Sequence, residues 1–194
     1  MQGLKESVRV WLITGDPGIG KTTVLVKTMS IMRSYGYALG GMLCREVRVK
    51  GERMGFELMD VASGQKGVLA STKLNTGPKL GKYRVNLVDL AEIGAKSLLN
   101  AIDFCDIIIC DEIGPMELFS PDFRHAVKAI VESGKPVLGI VHKRLNDPLI
   151  QEIKSKPFVE VIEVTHENRE KLPRILAEGI LSKIKGKNYA SERS

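Results

Sequence analysis

Residues 15–22 read GDPGIGKT, and their spacing suits an anion brought close to the backbone. Phosphate oxygens accept hydrogen bonds from successive backbone N–H groups, which requires a curved loop free of bulky side chains. Gly15, Gly18 and Gly20 permit that curvature, with Asp16, Pro17 and Ile19 between them. Lys21 would reach β- and γ-phosphates, and Thr22, followed by Thr23, would offer its hydroxyl to Mg²⁺. A second chemical word is IIICDE, an apolar run that ends on Asp111 and Glu112. Asp111 fits a ligand of the same Mg²⁺ through water, and Glu112 fits a base that orients and deprotonates water. An acid directly after the metal aspartate favours hydrolysis over transfer to another acceptor.

Both words need elements that deliver them to one place. VRVWLIT (8–14) is β-branched and apolar and reads as a buried parallel strand ending at the glycine loop. Leu25, Met29, Met32 and Tyr35 then recur at helical spacing from Lys21 onward. DIIICDEIG predicts a second buried strand, and PVLGIVH and FVEVIEV predict a third and a fourth. Asp89 and Glu92 predict a capping box for a helix to about Ile102. Ser120 with Pro121 and Asp147 with Pro148 predict two further helix starts, and Thr165 a cap for the last helix. Residues 41–88 read differently, as strands about the turns KGER and GQKG, and predict an inserted antiparallel hairpin region. Strands and helices alternating elsewhere give an α/β, three-layer fold with a mostly parallel central sheet. In such sheets the carboxyl ends of the strands carry the ligand, so both words would meet at one edge.

Composition sets the limits. The 194 residues fit a single domain over 1–184 with a basic polar tail, 185–194, expected to be disordered. The net charge of +6 suits a polyanionic ligand and disfavours nothing else strongly. No aromatic–basic platform points to nucleic acid, and no apolar run approaches a membrane span. Cys44, Cys105 and Cys110 lack metal-ligand spacing, read as free thiols, and suggest the cytoplasm. The oligomeric state is open, with a monomer slightly favoured.

Beyond the two motifs, ITGDPGIGKTT, EVRVKGERMGFELMDVASGQKGVLAS, GPKLGKYRVNL, DEIGPMELFSPDF and VTHENREKLP occur in this order. Over roughly residues 8–178 the chain resembles the THEP-type nucleoside-triphosphatase family. The resemblance implies a P-loop NTPase fold and Mg²⁺-dependent hydrolysis of ATP, GTP, CTP and UTP or TTP, with low base selectivity and weaker action on diphosphates. By position it assigns phosphate binding to Gly15–Thr22. It also implies a second nucleotide-site segment, Asp111, Glu112, Ile113, Gly114, Pro115, Met116 and Glu117, and Ile109 and Cys110 just before it are candidates for nucleotide binding as well. Family members carry lysine at the position of Pro115, which leaves the source of transition-state charge stabilisation open.

Several cations are candidates for that charge. Arg45, Arg48 and Arg53 crowd the hairpin, where one would act as an arginine finger in cis. Lys79 and Lys82 in GPKLGK would close as a lid. Solvated strand faces and a plain turn are the simpler readings of both groups. Asn168 and Arg169 follow the last strand near a possible base, and helix-terminal packing is their simpler reading. His142 ends the third strand at the active edge, and Trp11 reads as core. Two rivals to hydrolysis stand: a nucleoside or nucleotide kinase with a short lid at 142–149, and a nucleotide-gated switch associated with nucleic acid.

Overall fold

A computed structural model describes residues 8–191, with side chains through residue 184. In chain order the elements are β1 (Val10–Thr14), α1 (Lys21–Ser34), β2 (Leu39–Val49), β3 (Glu52–Asp60), β4 (Lys66–Ser71), β5 (Lys79–Leu80) and β6 (Tyr83–Val85). Next come α2 (Leu87–Asp89), a π-helical stretch (Leu90–Ala95), α3 (Lys96–Phe104) and β7 (Ile107–Ile113). A 3₁₀ turn (Glu117–Phe119), α4 (Pro121–Glu132), β8 (Val137–Val141), α5 (Pro148–Lys154), β9 (Val159–Glu163) and α6 (Leu172–Ser191) complete the chain.

All nine strands join one sheet in the order β5-β6-β4-β3-β2-β7-β8-β1-β9. From β2 to β9 every ladder is parallel. From β2 outward to β5 every ladder is antiparallel. Strand alternation feeds two cores, one on each face. Val10 and Leu12 of β1 and Ile108 and Cys110 of β7 pack with apolar residues of α3, α4 and α5. Trp11, Ile13, Ile107 and Ile109 pack on the opposite face with α1 and α6. Trp11 is core, as its strand position predicts.

The antiparallel region expected at 41–88 is present and continues directly from the parallel half. β2 starts inside the parallel half, with Leu39 opposite Ile107 and Met42 opposite Cys110, and continues into antiparallel pairing with β3. One strand therefore serves both halves, which local sequence alternation does not reveal. The capping box expected at Asp89 is also replaced. Asn86 caps the helix, accepting from the N–H groups of Val88 and Asp89. Asp89 instead accepts from the Val68 N–H of β4 at 2.7 Å, so a sheet partner takes the carboxylate. The helix then runs to Phe104 rather than Ile102. Ser120 and Asp147 cap α4 and α5 as expected. Thr165 does not cap α6, because a turn occupies the residues between it and Leu172. Tyr35 lies at the α1 C-terminus and is exposed, so the helical stripe ends at Met32. α6 is helical through Ser191, and the rest of the polar tail, 192–194, lies outside the described residues.

Candidate active site

β1 ends at Thr14 and the chain turns through residues 15–20 into α1. Gly15, Gly18 and Gly20 have φ of 149°, 79° and 107°, conformations side chains resist. A Cβ on Gly15 would also lie 2.9 Å from the Val164 carbonyl oxygen. Gly20 is the N-cap of α1 and offers no side-chain cap, so the first-turn N–H groups remain for an anion. Lys21 Nζ donates to the carbonyls of Gly15 at 3.0 Å and Asp16 at 3.2 Å, over the loop.

β7 lies between β2 and β8 and carries its acids to the same edge. Thr22 Oγ1 donates to Asp111 Oδ2 at 3.3 Å. The Asp111–Glu112 peptide bond is cis. Burial pushes the Asp111 carboxyl up to about 7, and the Glu112 charge adds to this. The Thr22 hydroxyl, the Lys21 charge and the Cys44 backbone N–H oppose it. Glu117 is also buried, and desolvation raises it to about 8 despite hydrogen bonds from its own N–H and that of Gly114. Burial likewise raises the Cys44 and Cys110 thiols.

A two-part cleft opens over these groups. Its outer part, about 780 Å³, runs along the glycine loop and includes Thr23, Arg48, Lys143 and Arg144. Its inner part, about 600 Å³, reaches Asp111, Glu117, Pro115 and Met116 and has apolar walls at Leu69 and Leu80. Thr22, Glu46, Arg53, Phe56, Glu112 and His142 line both parts. Glu112 thus borders both the part of the cleft along the glycine loop and the part beyond it.

The structure sorts the remaining sequence candidates. Ile109, Cys110 and Ile113 are core residues. Gly114 is buried beside the carboxyl groups of Glu117 and Glu112. Arg45 lines the inner part only, Arg48 the outer only, and Arg53 both. Lys79 and Lys82 line neither, and Lys82 stacks over the Tyr83 ring. Asn168 is occupied by the backbone, accepting from the Thr165 N–H and donating to the Glu163 carbonyl. His142 Nδ1 accepts from the Arg144 N–H.

Sequence reasoning missed Glu46, Phe56 and the role of Lys143. Glu46 accepts from Arg48 at 2.6 and 2.9 Å and from Arg53 at 2.7 Å, and both guanidiniums hold its carboxyl below the usual range. Lys143 pairs with Asp16 of the loop at 3.2 Å and with Glu163 at 2.7 Å. An acid set between Arg45 and Arg48 was the available signal for Glu46. Nothing local marks the Lys143 pairing, which spans 127 positions.

Comparison with known proteins agrees with this geometry. A family model described as NTPase matches residues 10–177. Nucleoside-triphosphatase THEP1 of Methanosarcina acetivorans is 44% identical over 173 residues, covering 89% of this chain and 97% of that protein. Its namesake in Thermofilum pendens is 41% identical, covering 90% and 96%. Among solved structures, THEP1 from Aquifex aeolicus superposes with a TM-score of 0.75 at 32% identity, covering 86% of this chain and 96% of that one. A human cancer-related nucleoside triphosphatase gives 0.76 at 33%, covering 90% and 98%. With the phosphate loop, the paired acids and this breadth of likeness together, the chain belongs to the NTPase family that includes the THEP1 proteins.

Proposed function

We propose that the protein hydrolyses nucleoside triphosphates to diphosphate and phosphate with Mg²⁺. ATP, GTP, CTP and UTP or TTP are accepted with low base selectivity, and diphosphates react more weakly. The observation that carries this reading is Glu112, which lines both parts of the cleft one residue after the acid bonded to Thr22.

The phosphates lie along the loop N–H groups and the open end of α1. Lys21 exchanges the loop carbonyls for β- and γ-oxygens. The Thr22 hydroxyl and the Asp111 carboxylate, hard oxygen donors 3.3 Å apart, suit Mg²⁺, with Asp111 acting through water. When bound there the ion neutralises charge on the β- and γ-oxygens. Glu112 orients a water and accepts its proton as the water oxygen bonds to the γ-phosphorus. The bond to the β-bridging oxygen breaks and the nucleoside diphosphate leaves. Arg53, facing the same space, is the hairpin cation best placed to meet the developing charge. The three free thiols fit a reducing cytoplasm.

Phosphate release with Mg²⁺ from each of ATP, GTP, CTP and UTP, without an acceptor, tests the reading. Release from all four, lost in Lys21→Ala and Glu112→Gln, is the expected result. Nucleotide binding without release would reject it.

One observation favours a second reading. The inner part of the cleft lies beyond Glu112 and is walled by Phe56, Leu69 and Met116, with room for a phosphoryl acceptor. A nucleoside or nucleotide kinase would show phosphate transfer that depends on an added nucleoside or nucleotide.

A further inference from the structure

A second, smaller groove of about 170 Å³ opens beside the glycine loop, and Glu112 does not line it. It shares Gly20 and Thr23 with the phosphate cleft, so the two are continuous across the start of α1. A triphosphate whose γ end faces Glu112 leaves the loop with its α end near Thr23. Ribose and base would then have this groove beside them.

Its lining is chemically one-sided. Ile19 and Val24 supply apolar surface, and Val24 is buried. Lys27 and Glu170 close the rim as an ion pair at 2.9 Å, each engaged by the other. Asn168, the amide that could read a base edge, spends both ends on the turn backbone. Arg169, half-buried on the turn that follows β9, lines the groove too, and its Nε lies 3.8 Å from the same Glu170. A planar guanidinium presents a face to stack on a ring, and every base has such a face.

We propose that this groove is the nucleobase subsite and that Arg169 grips the base by stacking on its face. Resting on the nucleotide reading above, it supplies the cause of low base selectivity: the site holds the ring without questioning its edge. Purines, with more area to stack, bind more tightly than pyrimidines.

The test compares affinities of ATP, GTP, CTP, UTP and inorganic tripolyphosphate by displacement of a fluorescent nucleotide, in the parent, Arg169→Ala and Arg169→Lys. Arg169→Ala weakens all four nucleotides about 5- to 10-fold, most for the purines, and leaves tripolyphosphate affinity unchanged. Arg169→Lys behaves like alanine, because it keeps the charge and loses the plane. Rescue by lysine, or equal weakening of tripolyphosphate, would overturn the proposal by making Arg169 a phosphate contact. Unchanged nucleotide affinity would overturn it by placing the base elsewhere. Thermal unfolding checks that both variants fold. Binding is read separately from phosphate release, so failure of the hydrolase reading stays distinguishable from failure of the base site.

Discussion

Thr22 Oγ1 and Asp111 Oδ2 meet at 3.3 Å across 89 positions of sequence. The hydroxyl is at the start of α1 and the carboxylate is near the end of β7, two strands away from β1 in the sheet. The contact ties the loop to the acid strand, and it marks the corner where the proposed mechanism would bring a divalent cation and the terminal phosphate together.

Replacing Asp111 by Asn should keep the Thr22 contact while removing the charge. Phosphate release is expected to drop by about 100-fold or more, with a shift of the Mg²⁺ requirement to higher concentration. A Mg²⁺ titration of initial rates measures both. Unchanged Mg²⁺ dependence would remove Asp111 from the metal corner.

Glu112→Gln separates base from binder. The neutral amide cannot accept the proton from water, so turnover should drop about 10²- to 10⁴-fold while nucleotide affinity stays within a few-fold. Equilibrium nucleotide binding beside single-turnover phosphate release decides this. Parallel loss of binding and rate would make Glu112 a binding group instead.

The three hairpin arginines should not be equal. Arg53 is fixed by Glu46 and by the Tyr83 hydroxyl at 3.0 Å and faces both parts of the cleft. Its alanine variant should lose about 100-fold or more in kcat, toward the range of arginine fingers. Arg48→Ala, confined to the outer rim, should lose less than about 10-fold. Equal losses in the two, or a larger loss in Arg48→Ala, would contradict the ranking.

Stability should carry the mark of the buried acids. Asp111 and Glu117 hold their protons to about 7 and about 8 when folded, above the ordinary carboxylate range. Below about pH 4 both folded and unfolded chains are protonated there, and the shift contributes nothing. Between that range and pH 8 the folded chain binds more protons, so unfolding free energy falls as pH rises, and it levels off above. Glu117→Gln removes its share of that slope. Its unfolding midpoint should match the parent near pH 4 and exceed it by roughly 5 °C at pH 8.5. A difference independent of pH would sink this account.

Where a single residue type meets a backbone constraint, the sequence was enough. The glycines of 15–20 declared the loop because positive φ excludes side chains, and the acids of β7 declared themselves by ending an apolar strand. The double role of β2 was not legible, since pairing partners sit far along the chain and alternation alone does not tell a parallel neighbour from an antiparallel one. Asp89 misled for a related reason: its capping-box spacing is local, and the Val68 N–H that claims it comes from 21 residues away. Glu46, Lys143 and Phe56 entered the site only when the sheet was assembled. Arg169 and Asn168 looked alike in sequence, and hydrogen bonding to the turn separated them.

The continuity of β2 has a mechanical meaning. Eleven residues at about 3.3 Å each form a rod of about 36 Å, clamped at its root between β7 and the core and bent where its register shifts at Val47/Arg48. Midway along it the Cys44 N–H holds Asp111, and two residues further Glu46 holds the arginines. The hairpin thus projects from the sheet as a cantilever built on one continuous strand. A load on its arginines is felt at the acid corner through one stiff backbone, which gives accuracy of placement in exchange for reach.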